Sequence, residues 1–199
     1  MPTLELHLDY IDPASWVMHR RLLQATTPDG ELAGTLLRCH PREVRPPELP
    51  PLDPTSGSWR RHVESILRVA PGEMESYRPP ARLPHTRKAH ELALHAEAGG
   101  SRNAIDSAIF RAVLVEGRDV GRIDVLVEIA ESLGFDRTET RAVLDVDRYT
   151  DRVVQLRAAS ASPGVVGVPT MVFDGSLLEG VHSVEAVRAW MTPEATESN

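Results

Sequence analysis

Cysteine and lysine are nearly missing from this chain. Of 199 residues, Cys39 is the one cysteine and Lys88 the one lysine. A single thiol closes no internal disulfide, which excludes a disulfide-stapled fold. It also excludes a zinc centre built from several thiolates. With lysine so scarce, arginine supplies nearly all the positive charge, and we read this as a compositional bias. Uninterrupted apolar stretches are missing too: no run approaches the ~18 residues that a membrane span needs. The opening MPTLELHLDY carries Glu5 and Asp9 where a secretory leader would be basic and then apolar. No signal peptide and no membrane partner are expected, and the expected location is cytoplasmic. Positive charge is in the minority, 22 basic side chains against 29 acidic, for a net −7. Phosphate binding needs a dominant basic surface, so a nucleic-acid partner is not expected. What remains is 41% apolar and 26% charged, the proportions of a folded globular chain. The length suits one compact domain with an insertion, or two domains.

Leu4, Leu6 and Leu8 alternate with Glu5, His7 and Asp9, the period-two pattern of a strand with one buried face. Asp12-Pro13 then opens a helix, because Asp is a favoured N-cap and Pro fits the first helical position. Trp16, Arg20 and Leu23 follow at helical spacing, and the helix should stop before Thr27-Pro28-Asp29-Gly30. Gly34 to His40 reads as a second strand. Residues 41–54 hold six prolines, too dense for a helix or a central strand, so an extended connection is expected. From about Ser58 to Val146 the periodicity is helical. One helix contains Ala89, Leu92, Ala93 and Ala96 and ends at Gly99-Gly100. Another contains Ile105, Ile109 and Val113. A third runs from Val125 to Leu133 with Gly134 as its C-terminal stop, and Asp136 with Glu139 has the capping-box spacing of a fourth. A helix around Val153 to Arg157 should end near Pro163-Gly164. Pro169–Phe173 and Ser176–Gly180 read as two strands joined by an Asp174-Gly175 turn, and Ser183 caps a last helix.

The order is strand, helix, strand, a helical block, then helix, strand, strand, helix. The expected fold class is therefore α/β, a thioredoxin-like fold with an inserted all-helical domain. The expected boundaries are 1–48 plus 148–191 for the split thioredoxin-like domain and 57–147 for the helical insertion. Residues 41–56 form the Pro-rich connection and 192–199 a frayed tail.

Three segments then resemble a known family. They are Leu83-Pro84-His85-Thr86-Arg87-Lys88-Ala89-His90, the stretch from Ala108-Ile109-Phe110 through Glu116-Gly117 to Gly134, and Gly164-Val165-Val166-Gly167-Val168-Pro169-Thr170 followed by Asp174-Gly175 and Gly180. In order and spacing they resemble the DsbA-type thioredoxin-like family. The resemblance is to its FrnE-like branch, which neighbours the 2-hydroxychromene-2-carboxylate isomerases and kappa-class glutathione transferases. It spans roughly residues 3–191.

The resemblance implies a site at the start of the first helix, where redox members carry Cys-Pro-x-Cys. A thiolate there is stabilised by free amide groups and the helix dipole. Here the matching residues are Asp12-Pro13-Ala14-Ser15, with neither sulfur present. Thiol–disulfide exchange needs a thiolate to attack a disulfide, so a dithiol mechanism is not expected. The glutathione-dependent branch resembles Ser-Pro-x-x at this place, and Ser15 is the residue here that could supply such a hydroxyl. Asp12, as a carboxylate, would repel a thiolate at contact distance. Val168-Pro169 resembles the fold's cis-proline loop, which in the family faces the first helix and pairs with an extended peptide or a thiol. Gly180-Val181-His182-Ser183 is closer to the FrnE-like pattern than to the pair that holds glutathione's ends. The resemblance thus implies a family label of oxidoreductase without disulfide exchange. The ligand would be a small thiol such as glutathione, or an extended peptide. The alternative is a thiol-dependent isomerase or transferase using Ser15. A homodimer is also implied.

Candidate site residues are therefore Asp12 and Ser15, with Pro13, Val168, Pro169, His90 and His182 around them. Asp12 reads first as a helix cap and second as an acid/base or ligand-orienting carboxylate. Cys39 reads as a buried small apolar residue, with a groove-facing thiol as the alternative. His85, His90 and His95 are five apart, about 140° beyond a full turn, so they share no helix face and no metal site is expected. His90 reads as helix packing before groove lining, and His182 is a second candidate after the last strand.

Overall fold

A computed structural model describes residues 1–161 and 164–192. The chain begins with β1 (Thr3–Leu8), α1 (Pro13–Ala25) and β2 (Leu36–Pro41). Five helices follow: α2 (Gly57–Val69), α3 (Arg87–Glu97), α4 (Arg102–Leu114), α5 (Ile123–Ser132) and α6 (Arg137–Asp145). The chain closes with α7 (Thr150–Ala159), β3 (Thr170–Phe173), β4 (Ser176–Glu179) and α8 (Val184–Met191). This is the thioredoxin-like fold with a helical insertion between β2 and α7. Among the described residues no helix is long and apolar enough to cross a membrane.

The four strands lie in the order β2-β1-β3-β4. β1 and β2 are parallel, with Leu6 opposite Cys39, and α1 makes the crossover between them. β3 runs antiparallel to β1 and to β4. β1 is thus central and β2 is an edge, which is why Pro41 can close β2 without breaking a ladder. The expected strand from Gly34 to His40 begins two residues later, at Leu36, because Gly34 adopts a left-handed turn (φ 80°) before it, and it ends one residue later, at Pro41. The alternation in β1 also fails at one point. His7 is buried along with Leu4, Leu6 and Leu8, its ring stacked at 5.1 Å on His40 of the neighbouring β2.

Local chemistry explains the element ends. Asp12 caps α1 with its carboxylate, and Pro13 takes the first helical position. Ser56, Asp136 and Ser183 cap α2, α6 and α8 through side-chain oxygens. Asp174 and Gly175 both have positive φ, 47° and 77°, the two-residue turn whose twist suits a hairpin. α3 begins only at Arg87, so His85 lies ahead of the helix. α7 stops at Ala159, short of the expected Pro163, which lies outside the described residues, as does the tail beyond Thr192.

One continuous apolar core joins the sheet to the helical block. Leu4, Leu6 and Leu8 from β1 and Val17, Met18 and Leu22 from α1 meet Leu92 of α3 and Ile105, Ile109 and Phe110 of α4. The β1–α1 junction is therefore sandwiched between the sheet and the helical block, and its polar residues must find partners there.

Candidate functional site at the start of helix α1

Asp12 is 2% exposed, and its backbone is extended (φ −91°, ψ 115°), as a cap requires. One carboxylate oxygen, Oδ2, accepts the Ser15 N–H at 2.7 Å and the Ser15 hydroxyl at 2.6 Å. The other, Oδ1, lies 2.6 Å from Nε2 of His62. Capping alone would use one oxygen. The second takes only a long contact from the Ala14 N–H, at 3.4 Å, and holds an imidazole brought by α2.

α2 delivers that imidazole because Ser56 fixes where the helix starts. Trp59 and His62 then fall one turn apart on the same side. The Trp59 ring is buried beside the His62 ring, 5.5 Å between centroids. The His62 side chain is 36% exposed while the Asp12 side chain is 3% exposed. The Asp12 hydrogen bond raises the His62 pKa above its ordinary 6.5, against the opposing effect of burial. The pair is a carboxylate-oriented imidazole with one face open to water.

Asp12 and His62 line a cleft of about 450 Å³. Its apolar lining is Val44, Leu52, Trp59, Val166 and Val168. Arg42, Glu43 and Arg157 supply its charge. The Val168–Pro169 peptide bond is cis, and the Pro169 carbonyl accepts the Gly180 N–H at 2.9 Å, tying the loop to the end of the hairpin. Glu43 is buried and held by both nitrogens of the Arg87 fork, at 3.1 and 3.0 Å. Asp9, fully buried, accepts the Val44 N–H at 2.6 Å and so fixes the chain leaving β2 against α1. The Pro-rich connection is thus part of the site's wall as well as a linker.

The candidate residues separate in space. Asp12 and Val168 line the cleft. Pro13 and Pro169 are buried and do not line it. Ser15 is fully buried, is not among the cleft-lining residues, and gives its hydroxyl proton to Asp12. A nucleophilic or ligand-contacting Ser15 would require that hydroxyl to be exposed. His90 is fully buried with its ring against Tyr10, 4.6 Å between centroids, and is likewise absent from the cleft. His182 lies at the end of the hairpin, where its ring faces the Glu179 carbonyl at 2.7 Å and its own carbonyl accepts from Arg21. It does not reach the cleft either. Sequence reasoning missed His62, Arg42 and Arg157. For His62 a signal was present, a cap at Ser56 with Trp59 and His62 three residues apart on one helix face. Arg42 and Arg157 carried none, being two arginines among many.

Cys39 is buried in β2, and burial pushes its thiol pKa well up. It belongs to a second, buried polar cluster, none of whose residues lines the cleft. Asp106 accepts the Tyr10 hydroxyl at 2.5 Å and Nε of Arg102 at 2.9 and 3.0 Å, with Nε2 of His19 at 4.0 Å. His19, Cys39 and Asp106 have potential ligand atoms within 4.8 Å of one another. Arg102 and Tyr10 already occupy the Asp106 carboxylate, which makes the trio part of an ion network. A larger hollow of about 610 Å³ beside His95, Phe135 and Tyr149 contains none of the cleft's groups.

The fold and the site together define a thioredoxin-like protein whose usual pair of helix-start sulfurs is replaced by a carboxylate and a hydroxyl. Residues 3–191 match the model of the DSBA-like thioredoxin domain, so the chain belongs to that family. It is similar to a structure described as a probable DsbA oxidoreductase of Streptomyces coelicolor, with TM-score 0.81, 22% identity, and coverage of 96% of this chain and 89% of that one. It is similar to a 2-hydroxychromene-2-carboxylate isomerase structure, with TM-score 0.77, 19% identity, and coverage of 95% and 94%. It is also similar to the cytosolic disulfide reductase DsbM of Pseudomonas aeruginosa solved with glutathione, with TM-score 0.64, 21% identity, and coverage of 96% and 93%. At these identities the likeness is one of fold.

Proposed function

We propose that this protein binds a small thiol or a short extended peptide in the cleft between α1, α2 and the Val168–Pro169 loop, without dithiol exchange. The observation that carries the reading is the cleft of about 450 Å³ whose lining joins Asp12, at the family's sulfur position, to Val168. The one cysteine is buried in a strand with a raised pKa, so no thiolate is on hand to attack a disulfide. A solved neighbour holding glutathione makes that tripeptide the first ligand to try.

A second reading is favoured by the Asp12–His62 pair. With Nε2–H given to Asp12, the remaining ring nitrogen, Nδ1, is the acceptor. It can take the proton of a bound thiol: the S–H bond breaks, the electron pair stays on sulfur, and Asp12 stabilises the imidazolium that forms. This is general-base chemistry of the kind an isomerase needs, and it assigns to His62 the role that Ser15, being buried, does not fill.

A thermal-shift and calorimetric screen with glutathione, mycothiol, bacillithiol and short peptides tests the reading. Ligand binding to the native state raises Tm by mass action. The expected result is a shift with at least one of these that is lost in Val168→Trp, which crowds the cleft, alongside no turnover in an insulin-reduction assay. Turnover comparable to that of a dithiol homologue would overturn it, as would the absence of any shift.

A further inference from the structure

In a chain of net charge −7, the cleft brings together two guanidiniums that no carboxylate holds in an ion pair among the described residues. Its two carboxylates are already matched, Asp12 with His62 and Glu43 with Arg87. Its two other charged groups are Arg42 and Arg157. Among the described residues neither stands in an ion pair. The Arg42 guanidinium donates only to neutral acceptors, the Arg157 carbonyl at 3.4 Å, the Ser160 hydroxyl at 3.2 Å and the Val166 carbonyl at 3.3 Å. Nε of Arg157 is buried and has no partner. Burial and the charge of Arg157 both lower the Arg42 pKa, as two like charges on one wall must. Two half-buried guanidiniums that repel each other, one with an orphaned donor, are an arrangement that an oxyanion would complete.

We propose that Arg42 and Arg157 form an acid-binding subsite and that the cleft's ligand is a small organic acid held through a single carboxylate. This rests on the reading above that the ligand occupies this cleft, and it names the chemistry at one end of that ligand. The guanidinium fork matches a carboxylate. Trp59, Leu52, Val166 and Val168 offer the rest of the molecule an apolar wall. With His62 neutral, as a base must be, Asp12 keeps its negative charge in the same space and repels a second one, so a monoanion fits better than a dianion. The acid end sets the ligand's orientation, and the other end lies where His62 can exchange a proton with it.

The test is calorimetric titration of the full chain, paired with NMR of the arginine Nε–H signals. The probes are phenylacetate, its neutral analogue phenylacetamide, inorganic phosphate, glutathione, S-methylglutathione and mercaptoethanol. Phenylacetate should bind and move the Arg42 and Arg157 signals, and phenylacetamide should bind about tenfold more weakly or worse. Arg157→Gln should lower phenylacetate affinity by about tenfold, with partial recovery in Arg157→Lys. The Arg157 side chain donates no hydrogen bond among the described residues, so its variants should keep the wild-type Tm. Arg42 also anchors the loop, so Arg42→Gln is to be read beside its Tm. Equal binding of phenylacetate and phenylacetamide, or arginine signals that no anion moves, would overturn the subsite. Tighter binding of phosphate than of phenylacetate would overturn the carboxylate assignment. If S-methylglutathione binds as glutathione does and mercaptoethanol does not bind, the acid subsite stands and the thiol reading fails. If mercaptoethanol binds while the arginines stay unperturbed, the thiol reading stands and the subsite fails.

Discussion

Two carboxylate–histidine arrangements involve α1, one at its N-cap and one at His19 within it, and their chemistry differs. In the cleft, Asp12 and His62 are 2.6 Å apart and the imidazole is 36% exposed. In the core, Asp106 and His19 are 4.0 Å apart and both side chains are fully buried. Attraction wins in the cleft, so the His62 pKa rises. Desolvation wins in the core, so the His19 pKa falls although Asp106 pulls it the other way. The same residue types thus make a titratable base where water enters and a neutral packing element where it does not. Exposure, more than the presence of a carboxylate neighbour, decides which one is available for chemistry.

The largest effect expected from breaking this comparison lies on the core side. Asp106 is the counter-charge of buried Arg102 and the acceptor of the Tyr10 hydroxyl. Asp106→Ala leaves the buried guanidinium with half-exposed Glu97, at 3.2 Å, as its remaining carboxylate partner and takes the acceptor from the Tyr10 hydroxyl; a broken buried pair of this kind costs about 3–5 kcal/mol. Urea or thermal unfolding should show a loss of that size. A loss under about 1 kcal/mol would mean that water reaches the network and that the contrast with the cleft is smaller than the geometry implies.

A middle-sized effect separates the two regions by pH. His7 and His40, stacked at 5.1 Å, are pushed down to about 4, chiefly by burial, and His19 shifts in the same direction. A histidine with a lowered folded pKa binds its proton first in the unfolded chain. Its contribution is therefore complete above 6.5 and is lost as pH falls from 6.5 toward about 4. His62 has the opposite sign. Its contribution is complete below the ordinary value and is lost as pH rises through its raised pKa. Asp12→Asn keeps a helix cap and removes the charge. It should bring the His62 pKa back toward its ordinary range in an NMR titration and flatten the alkaline arm of Tm against pH. The acid arm should stay as it is. If His62 titrates unchanged in Asp12→Asn, the pair is not what sets its basicity.

What the sequence showed and what it hid divide along the same line. The strand–helix–strand start, the Asp174-Gly175 hairpin and the caps at Asp12, Asp136 and Ser183 were all legible, because each depends on neighbours in the chain. The departure at β2 was also local: Gly34 turns the chain before the strand can begin. The site was half legible. Asp12 and Val168 were found through their place in the family pattern, and they do meet at one cleft. His62, Arg42 and Arg157 were not found, because each comes from a different element and only packing brings them to Asp12. His90 and Ser15 were placed near the site by position in the chain. A buried ring beside Tyr10 and a hydroxyl turned into the cap are matters of orientation, which one-dimensional spacing does not fix.

The smallest expected effect is the one that most sharpens the comparison, because Ser15 lies on the boundary between the two regions. Its hydroxyl donates to Asp12 at 2.6 Å and receives the Asp9 N–H at 3.4 Å. Ser15→Ala removes one neutral donor to a carboxylate that keeps the Ser15 N–H and His62 as partners. The cost should be about 1 kcal/mol, the ordinary net value of one buried hydrogen bond, with a small part from the Asp9 amide left without its long contact. Ligand affinity in the cleft should not change, since the hydroxyl is absent from its lining. A calorimetric titration of Ser15→Ala beside His62→Gln then separates support from contact. Unchanged affinity in the first and lost affinity in the second places the chemistry on the imidazole. The reverse result would return it to the hydroxyl and would require α1 to open at its first turn before a ligand could reach Ser15.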